Sequence, residues 1–544
     1  MKKRLENKNE SISTDQIVVG IGASAGGLEA LQDFFKAMPV DSGLAFVVIQ
    51  HLSPDYKSLM DELLSRQTSM KIFIAEDNMP VLPNTIYLIP PRKNLTLFHD
   101  QLFLENQNLR KGLNLPVDIF FRSLAKEKGK NAIGIILSGT GSDGTLGTRA
   151  IKEAGGMIMA QDEQSAKFNG MPKSSIATGL VDYILPPDKM TEELVNYIKH
   201  PFVKKDKPLD SVLTKNFNTL TKIILILRDF SGIDFSYYKE NTIIRRLERR
   251  VSINRFDNLE DYLLYLSDSD KEKDSLYRDL LIGVTRFFRD SEAFESLKEK
   301  VLPELFEGKD ALRIWSTGCS TGEEVYSLAI ILKEFISKNK IDCEIKIFAT
   351  DIDKIAIEQA GVGYYPDSIV ADIEPALINK YFIRRENGYQ VNETIRKMIV
   401  FATHNLIKDP PFSKLDLIIC RNLFIYLKPE IQYKLLSSFY LSLNENGFLF
   451  LGSSESIGDM SSAFESIDQK WKIYRYMQGY KTNILKELPL IRSESQKIGD
   501  LILSKTRFND GVRFEKLFDS VLSSYMPPSV IIDQNENIVH TIIH

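Results

Sequence analysis

R-I-W-S-T-G-C-S-T-G-E-E, Arg313 to Glu324, decides the fold. A short apolar strand, Arg313–Trp315, runs into a loop rich in Gly, Ser and Thr. Glu323 and Glu324 then open the helical pattern V-Y-S-L-A-I-I-L. A strand–glycine turn–helix unit lets a ligand sit against bare backbone at a helix N-terminus. The next strand, I-K-I-F-A-T, ends in Asp351. An acid at the tip of the second strand is where such folds hold ribose hydroxyls. Taken alone, the glycine turn also reads as a plain α/β crossover. The downstream strands favour a site. F-A-T-H-N-L, Phe401–Leu406, closes a third strand, and Leu415–Cys420 forms a fourth that ends in Arg421-Asn422. Asn405 and Asn422 then lie near the same sheet edge as Glu323 and Asp351. Amides and carboxylates there can hydrogen-bond an adenine, a ribose and an amino-acid end.

The 544 residues suffice for two or three domains. Hydrophobic content of 43% and charged content of 26% are those of a globular protein. A net charge of −4 gives no general reason to expect nucleic acid as a partner. The three cysteines, Cys319, Cys343 and Cys420, have no metal-ligand or CxxC spacing, so we expect no metal, no disulfide framework and a reducing, cytoplasmic location. The N-terminal M-K-K-R-L-E-N-K-N-E lacks the apolar core of a signal peptide. No run approaches the roughly 18 apolar residues of a membrane span, so membrane insertion is not expected.

Residues 15–200 read as a first α/β domain. The strand Ile17-Val18-Val19 runs into G-I-G-A-S-A-G-G, Gly20–Gly27, and then the helix L-E-A-L-Q-D-F-F-K-A-M. G-I-G-A-S-A fits a dinucleotide fingerprint; G-A-S-A-G fits a nucleophile elbow that exposes Ser24 at a helix N-terminus. The next strand, Leu44–Gln50, decides between them because it ends in Gln50-His51 and not in an acid. A ribose site wants the acid, whereas a serine nucleophile wants a histidine that takes its proton and returns it to the leaving group. A third strand, Ile133–Ser138, opens into G-T-G-S-D-G, Gly139–Gly144. Asp143 there can fix the His51 tautomer, or act merely as a helix N-cap. The glycines around Thr140 leave backbone N–H groups to hold an oxyanion. Asp118 looks like a helix cap, and His99 sits in a polar turn between two short strands.

G-A-S-A-G-G, Q-H-L, S-G-T-G-S-D-G and F-N-G-M-P-K (Phe168–Lys173), in that order, resemble the catalytic domain of the chemotaxis methylesterase family. The resemblance implies hydrolysis of glutamate γ-methyl esters on chemoreceptors, often with deamidation of glutamine. It implies Ser24 as nucleophile, His51 as base and Asp143 as orienting acid. Thr140 departs from the family, which commonly has Met beside the oxyanion site. The receiver domain that precedes the esterase in single-function members is not expected ahead of residue 15.

A Lys/Pro-rich linker, 201–210, leads into helical patterns over 211–300. One, T-I-I-R-R-L-E-R-R, carries Arg245, Arg246, Arg249 and Arg250 as one basic stripe. The stripe reads as a solvated face, or as a docking face for an acidic helical partner. With T-R-F-F-R-D, S-T-G-E-E, A-T-D-I-D, H-N-L, C-R-N-L-F-I-Y and G-S-S-E-S, this part resembles the chemoreceptor glutamate methyltransferase family. That implies a helical subdomain followed by an S-adenosylmethionine-binding domain over 301–480. By motif it implies Thr285, Arg289, Glu323, Asp351, Asn405, Leu406, Arg421 and Asn422 as cofactor contacts. Gly283 stands where the family usually has an Asn that also touches the cofactor. The chemistry needs few acids and bases. A glutamate side chain is ionised at neutral pH and attacks a sulfonium methyl without a general base, so alignment and exclusion of water suffice.

Residues 481–515 read as a linker. In 516–544, Val530–Ile532 and Ile538–His540 look like a hairpin around D-Q-N-E-N, similar to the opening of a PAS sensor domain that does not complete before His544. The expected fold class is therefore α/β, two doubly wound domains in tandem with a helical subdomain between them and a partial PAS-like tail. The expected function is a bifunctional enzyme that writes and erases glutamate methyl esters. Its expected partners are a methyl-accepting receptor or receptor-like protein with acidic helices, and a sensor kinase or response regulator. The rival is a PAS-linked signalling scaffold with one or both sites silent. A nicotinamide oxidoreductase fails for want of the acid after Ile49.

Overall fold

The computed structural model of the chain describes residues 16–50, 60–107, 114–200, 203, 209–281, 283–386, 388–479, 529–532 and 538–542. Residues 1–480 form one compact unit and residues 481–544 another.

In the first domain, β1 (Val18–Ala23), β2 (Ala45–Gln50), β3 (Lys71–Ile74), β4 (Thr85–Leu88), β5 (Ala132–Ile136), β6 (Met157–Gln161) and β7 (Tyr183–Leu185) form one sheet in the order β7-β6-β5-β1-β2-β4-β3. Every neighbouring pair is parallel. All six residues of β1 are buried, which is why V-V-G-I-G-A is apolar on both faces. One apolar layer holds Phe34, Phe35 and Phe46; the other holds Phe120, Phe121 and Leu124. The first layer includes α1 (Gly27–Ala37) and the second α2 (Pro116–Lys128). A Cβ at Gly22 would stand 2.5 Å from Val117 Cγ1, and one at Gly20 would stand 2.8 Å from Phe121 Cε1. The two glycines of G-I-G thus admit α2 against the sheet, which removes their value as a dinucleotide signature. Chain direction across the sheet reverses between β1 and β5. The loops after these strands, Ser24 and Ser138–Asp143, flank that switch point, where open α/β sheets place their sites.

Next come Leu209–Ser231, α4 (Glu240–Ile253), Leu259–Asp268 and Asp270–Leu281, packed around Leu227, Leu247, Tyr262 and Leu276. The second sheet uses β8 (Ala311–Thr317), β9 (Glu344–Asp351), β10 (Ile399–Thr403), β11 (Leu415–Cys420), β12 (Leu443–Leu451), β13 (Phe464–Asp468) and β14 (Ile473–Tyr476), in the order β10-β9-β8-β11-β12-β14-β13. It is parallel except where β14 pairs with β12 and β13. Its switch point lies between β8 and β11, at the R-I-W-S-T-G-C-S-T-G-E-E turn. The doubly wound tandem and the intervening helices are as expected. In the tail, Ser529–Ile532 pairs antiparallel with Ile538–Ile542. That matches the expected hairpin, but a hairpin alone does not define a PAS domain; D-Q-N-E-N and most of 481–544 lie outside the described residues.

The basic stripe on α4 is neither solvated nor open for docking. Arg246, Arg249 and Arg250 are buried, and only Arg245 is exposed. Arg246 donates to the carbonyls of Lys152 (2.9 Å) and Glu153 (3.2 Å) in the first domain. These close α3 (Thr145–Glu153), so the guanidinium serves as a C-terminal cap and meets the negative end of the helix dipole. Arg249 pairs with Asp182 and, at 2.6 Å, with Asp279. Lys152 pairs with the same two acids at 2.7 and 3.0 Å. Two cations and two carboxylates, one of each from either domain, thus close a buried ring. Burial pushes the Asp279 carboxyl up, but the charges of Arg249, Lys152 and Arg250 together outweigh it and hold it below the usual range. Periodicity showed that the arginines share a face; it carried no information on what covers that face.

Removing one member of this ring leaves uncompensated buried charge. Arg249→Met is expected to cost about 3–5 kcal/mol, read as a lower urea midpoint for the full chain. A loss under about 1 kcal/mol would show that the ring is hydrated and weak.

Candidate active sites

Two constellations stand at the two switch points. At the first, Ser24 follows β1 and is half-buried. Its N–H donates to Ser138 O (3.0 Å), and its carbonyl accepts from Gly27 N (2.9 Å), which sets the turn into α1. Gly26 completes the turn with φ 70°. The F-N-G-M-P-K stretch, which had a family match but no assigned role, clamps the S-G-T-G loop. Gly139 N donates to Phe168 O, Met171 N to Gly139 O, each at 2.9 Å, and Phe168 N to Ser138 Oγ at 3.0 Å. Ser138 Oγ donates in turn to Ala25 O (2.8 Å), tying the two loops together. A Cβ on Gly139 would lie 2.2 Å from Met171 Sδ and 2.9 Å from Ser24 Cβ, so only glycine fits between them. Of the amides beside Thr140, that of Gly139 is therefore spent. Thr140 itself is exposed, and its N–H takes no partner among the described residues.

Asp143 does not cap its own helix; Gly144 is the N-cap of α3. The Asp143 carboxylate accepts from Val117 N (3.0 Å) and Asp118 N (2.9 Å), the open amides at the start of α2. Asp118 returns the favour, accepting from Gly147 N of α3 at 2.6 Å. Each aspartate thus satisfies the N-terminus of the other's helix. Asp118 is buried, and its second oxygen has no partner among the described residues. Burial, then the neighbouring Asp143 charge, pushes the Asp118 carboxyl well above the usual carboxylate range. It accepts from the helix of the other aspartate and not from its own, so it is not the simple cap expected. His51 lies outside the described residues.

At the second switch point, an open cavity of ≈ 1060 Å³ sits over the C-terminal ends of β8, β9, β10 and β11. Thr285, Arg289, Asp351, Asn405, Leu406, Arg421 and Asn422 line it, and Gly283 does as well. Glu323 does not. Its neighbour Glu324 lines the cavity, while the Glu323 carboxylate faces Arg149 of the first domain at 3.0 Å. Successive residues at a helix start point roughly 100° apart, so one of two adjacent acids turns away, and the sequence does not say which. Asp351 ends β9, and its carboxylate accepts from Ser320 N (2.7 Å) and Asp353 N (2.9 Å). Burial pushes it up despite those donors. Asn405 Oδ1 accepts from Ile407 N (3.0 Å), which leaves Nδ2 as the donor end of its amide. Arg421 lines the cavity but spends its guanidinium on Glu324 (2.8 Å) and Asp290 (2.7 Å). Glu455 lies in the G-S-S-E-S stretch. It accepts from Asn422, Phe424 and Gly452 amides at 3.1, 2.7 and 2.6 Å, and so holds the R-N-L-F loop. Its capture of three amides has no local sequence signal. Among the described residues no cluster of metal-ligating side chains occurs, and no helix is long and apolar enough to cross a membrane.

A zwitterionic nucleoside ligand fits this cavity. It offers an acid at the second strand tip, bare backbone at Gly318, apolar Ile352, Leu406 and Leu435, and Arg289 as a cation for a carboxylate. The class is an α/β protein with a nucleoside-binding second domain and a serine-bearing first domain. Residues 19–194 match the CheB methylesterase family, 218–281 the CheR methyltransferase all-alpha domain, and 283–473 the CheR methyltransferase SAM binding domain. Over 248 residues the chain is 34% identical to a chemotaxis protein methyltransferase of Borreliella burgdorferi, covering 44% of this chain and 88% of that protein. The chain belongs to the chemotaxis protein methyltransferase family and carries a CheB methylesterase domain ahead of it. S-adenosylmethionine is the cofactor of the second domain. An uncharacterized 104.1 kDa protein of Rhodobacter capsulatus is 36% identical over 442 residues, 77% of this chain; the chain spans 46% of that protein's length. The crystal structure of the Thermotoga maritima CheB methylesterase catalytic domain is 30% identical, with 33% of this chain and 97% of that one covered and a TM-score of 0.31.

The contacts at Gly139 predict that Gly139→Ala displaces Ser24 or Met171. Methylesterase kcat is expected to fall about 10²-fold, with S-adenosylhomocysteine affinity unchanged by calorimetry. An unchanged kcat would sink the packing account. Asp118 gives a pH signature. Its folded pKa is raised, so the folded state holds the proton more tightly than the unfolded chain. Stability is lost as pH rises from the unfolded value near 4 toward the folded one. Asp118→Asn keeps the acceptor for Gly147 without that penalty. Urea unfolding is expected to show the variant gaining on the parent as pH rises from about 4 to 7; parallel curves would mean that Asp118 is ionised.

Proposed function

We propose that this chain is a bifunctional enzyme that methylates glutamate side chains of a receptor-like protein and hydrolyses the resulting esters. The observation that carries the reading is the convergence of the T-R-F-F-R-D, A-T-D-I-D, H-N-L and C-R-N-L motifs on one cavity. S-adenosylmethionine, when bound, supplies the sulfonium methyl group. Asp351 would hold the ribose hydroxyls, Asn405 would donate to the adenine, and Arg289 would meet the amino-acid carboxylate. Thr285, Leu406, Asn422 and the paired Arg421 wall the site and exclude water. The substrate glutamate needs no base, because it is already a carboxylate at neutral pH.

In the esterase, Ser24 Oγ attacks the ester carbonyl as His51 takes its proton. His51 then protonates the departing methoxide, and methanol leaves an acyl-Ser24. Water, deprotonated by His51, hydrolyses this to glutamate and free serine. Asp143 orients His51, and the Thr140 amide donates to the oxyanion. Glutamine deamidation follows the same path with ammonia as leaving group. With the α4 stripe buried, the acidic substrate helix docks elsewhere than on those arginines. The setting is cytoplasmic, and a sensor kinase, a response regulator or a sensor module begun by the tail hairpin biases one activity over the other.

Ser24→Ala discriminates the two activities in one assay. Given methyl-labelled S-adenosylmethionine with cytosol and membranes of the source cell, the variant is expected to accumulate more base-labile protein label than the parent. Equal label in both would overturn the shared substrate.

A further inference from the structure

The first domain touches the cofactor cavity's wall. Arg149 and Glu153 are four residues apart on α3, hence on one helix face. Each meets a different loop of the cavity from behind. Glu153 Oε1 accepts from Arg289 Nη2 at 2.9 Å, while Arg289 Nη1 donates to Val284 O at 3.2 Å. Arg289 lies between Phe288 and Asp290, whose φ values of 47° and 57° belong to the left-handed region. A non-glycine backbone bent that way persists only when its surroundings hold it. Arg149 Nη1 donates to Glu323 Oε1 at 3.0 Å, and Glu323 Oε2 accepts from Thr321 Oγ1 at 2.6 Å. Those two residues end the turn whose Gly318 and Ser320 line the cavity.

The charges make the dependence specific. Arg421, the other guanidinium on the wall, has Asp290 and Glu324 from its own domain. Among the described residues, the ion pair of Arg289 is Glu153, from the other domain. A mobile arginine pays rotamer entropy on gripping a carboxylate, and one held by a fixed acid has less to lose.

We propose that the cofactor site of this chain is a two-domain site, in which Glu153 and Arg149 of the methylesterase domain are positioning residues for Arg289 and for the 318–323 turn. The proposal rests on reading this cavity as the S-adenosylmethionine site. The opposite sign is physically available, since Glu153 is also a carboxylate that competes for Arg289. The single Nη2 bond favours holding over blocking: it occupies one edge of the guanidinium and leaves N–H groups for a ligand.

Calorimetry with S-adenosylhomocysteine on the full chain tests this, with methyl-transfer kinetics alongside. Glu153→Ala and Arg149→Ala are each expected to weaken binding roughly fivefold and to raise KM for S-adenosylmethionine in step, as fits the loss of one partly buried ion pair behind the site. KM for the protein substrate stays at the parent value. Glu153→Asp and Arg149→Lys recover part of the loss, which a general loss of stability would not give. Variants that bind as the parent does, or more tightly, overturn the positioning role. A parent that fails to bind overturns the cavity assignment and this role with it.

Discussion

Among the contacts that join the two domains, the most buried in charge is the meeting of α4 with the end of α3. Arg246 caps the α3 carbonyls, and Arg249, Lys152, Asp182 and Asp279 close a ring beside it. Charges taken out of water this way bring little net stability, because desolvation offsets most of the attraction. What they do supply is register. A helix shifted by one turn would leave four charges unpaired, and each unpaired buried charge costs several kcal/mol. The same contact removes the stripe from solvent, which separates this chain from any account in which those arginines recruit the substrate.

At the serine-bearing site the governing constraint is the pairing of two helix starts. Four amides at each helix N-terminus need acceptors. Asp143 accepts from two of them at the start of α2 and Asp118 from one at the start of α3. Two carboxylates this close and this buried do not both ionise easily. Burial and the neighbouring Asp143 push the Asp118 carboxyl well above the usual carboxylate range, and its second oxygen has no partner among the described residues.

The sequence disclosed elements and hid relations. Apolar strands ending in glycine loops, followed by helical periodicity, are local patterns, so the two sheets and both switch points were legible. So was the set of loops converging on the cavity, since parallel strands bring their C-terminal ends to one edge. Three things were not. Glu323 and Glu324 are adjacent at a helix start, and which of the two faces the cavity depends on how the chain enters the helix through the Gly322 turn (φ 94°), which spacing does not reveal. The G-I-G glycines answer to α2, about a hundred residues away in the chain, and not to a ligand. The arginine stripe has the pattern of a solvated face because amphipathicity records polarity, whereas what neutralises it is distant in the chain: Asp182 and the α3 carbonyls from the first domain, and Glu272 and Asp279 from a later helix of its own domain.

A single helix, α3, then carries obligations in both directions. Its N-terminal turn follows Asp143, its first turn is held by Asp118, and its last residues are held by Arg246. A nine-residue helix is about 13 Å long, so a rigid-body shift at one end appears undiminished at the other. Packed interiors transmit such shifts because they compress little. Opposing activities in one chain consume cofactor without net change unless something separates them. In this chain α3 joins the two sites: the loop that holds Asp143 precedes its first turn, and Arg149 and Glu153 on its side pair with Glu323 and Arg289. Coupling between the sites would need ligands that bind differently to different arrangements of that helix. A carboxylate arriving at Arg289 meets Glu153 there, and an ester arriving at Ser24 meets the loop that contains Asp143. The chemistry of each substrate thus bears on one end of the same helix.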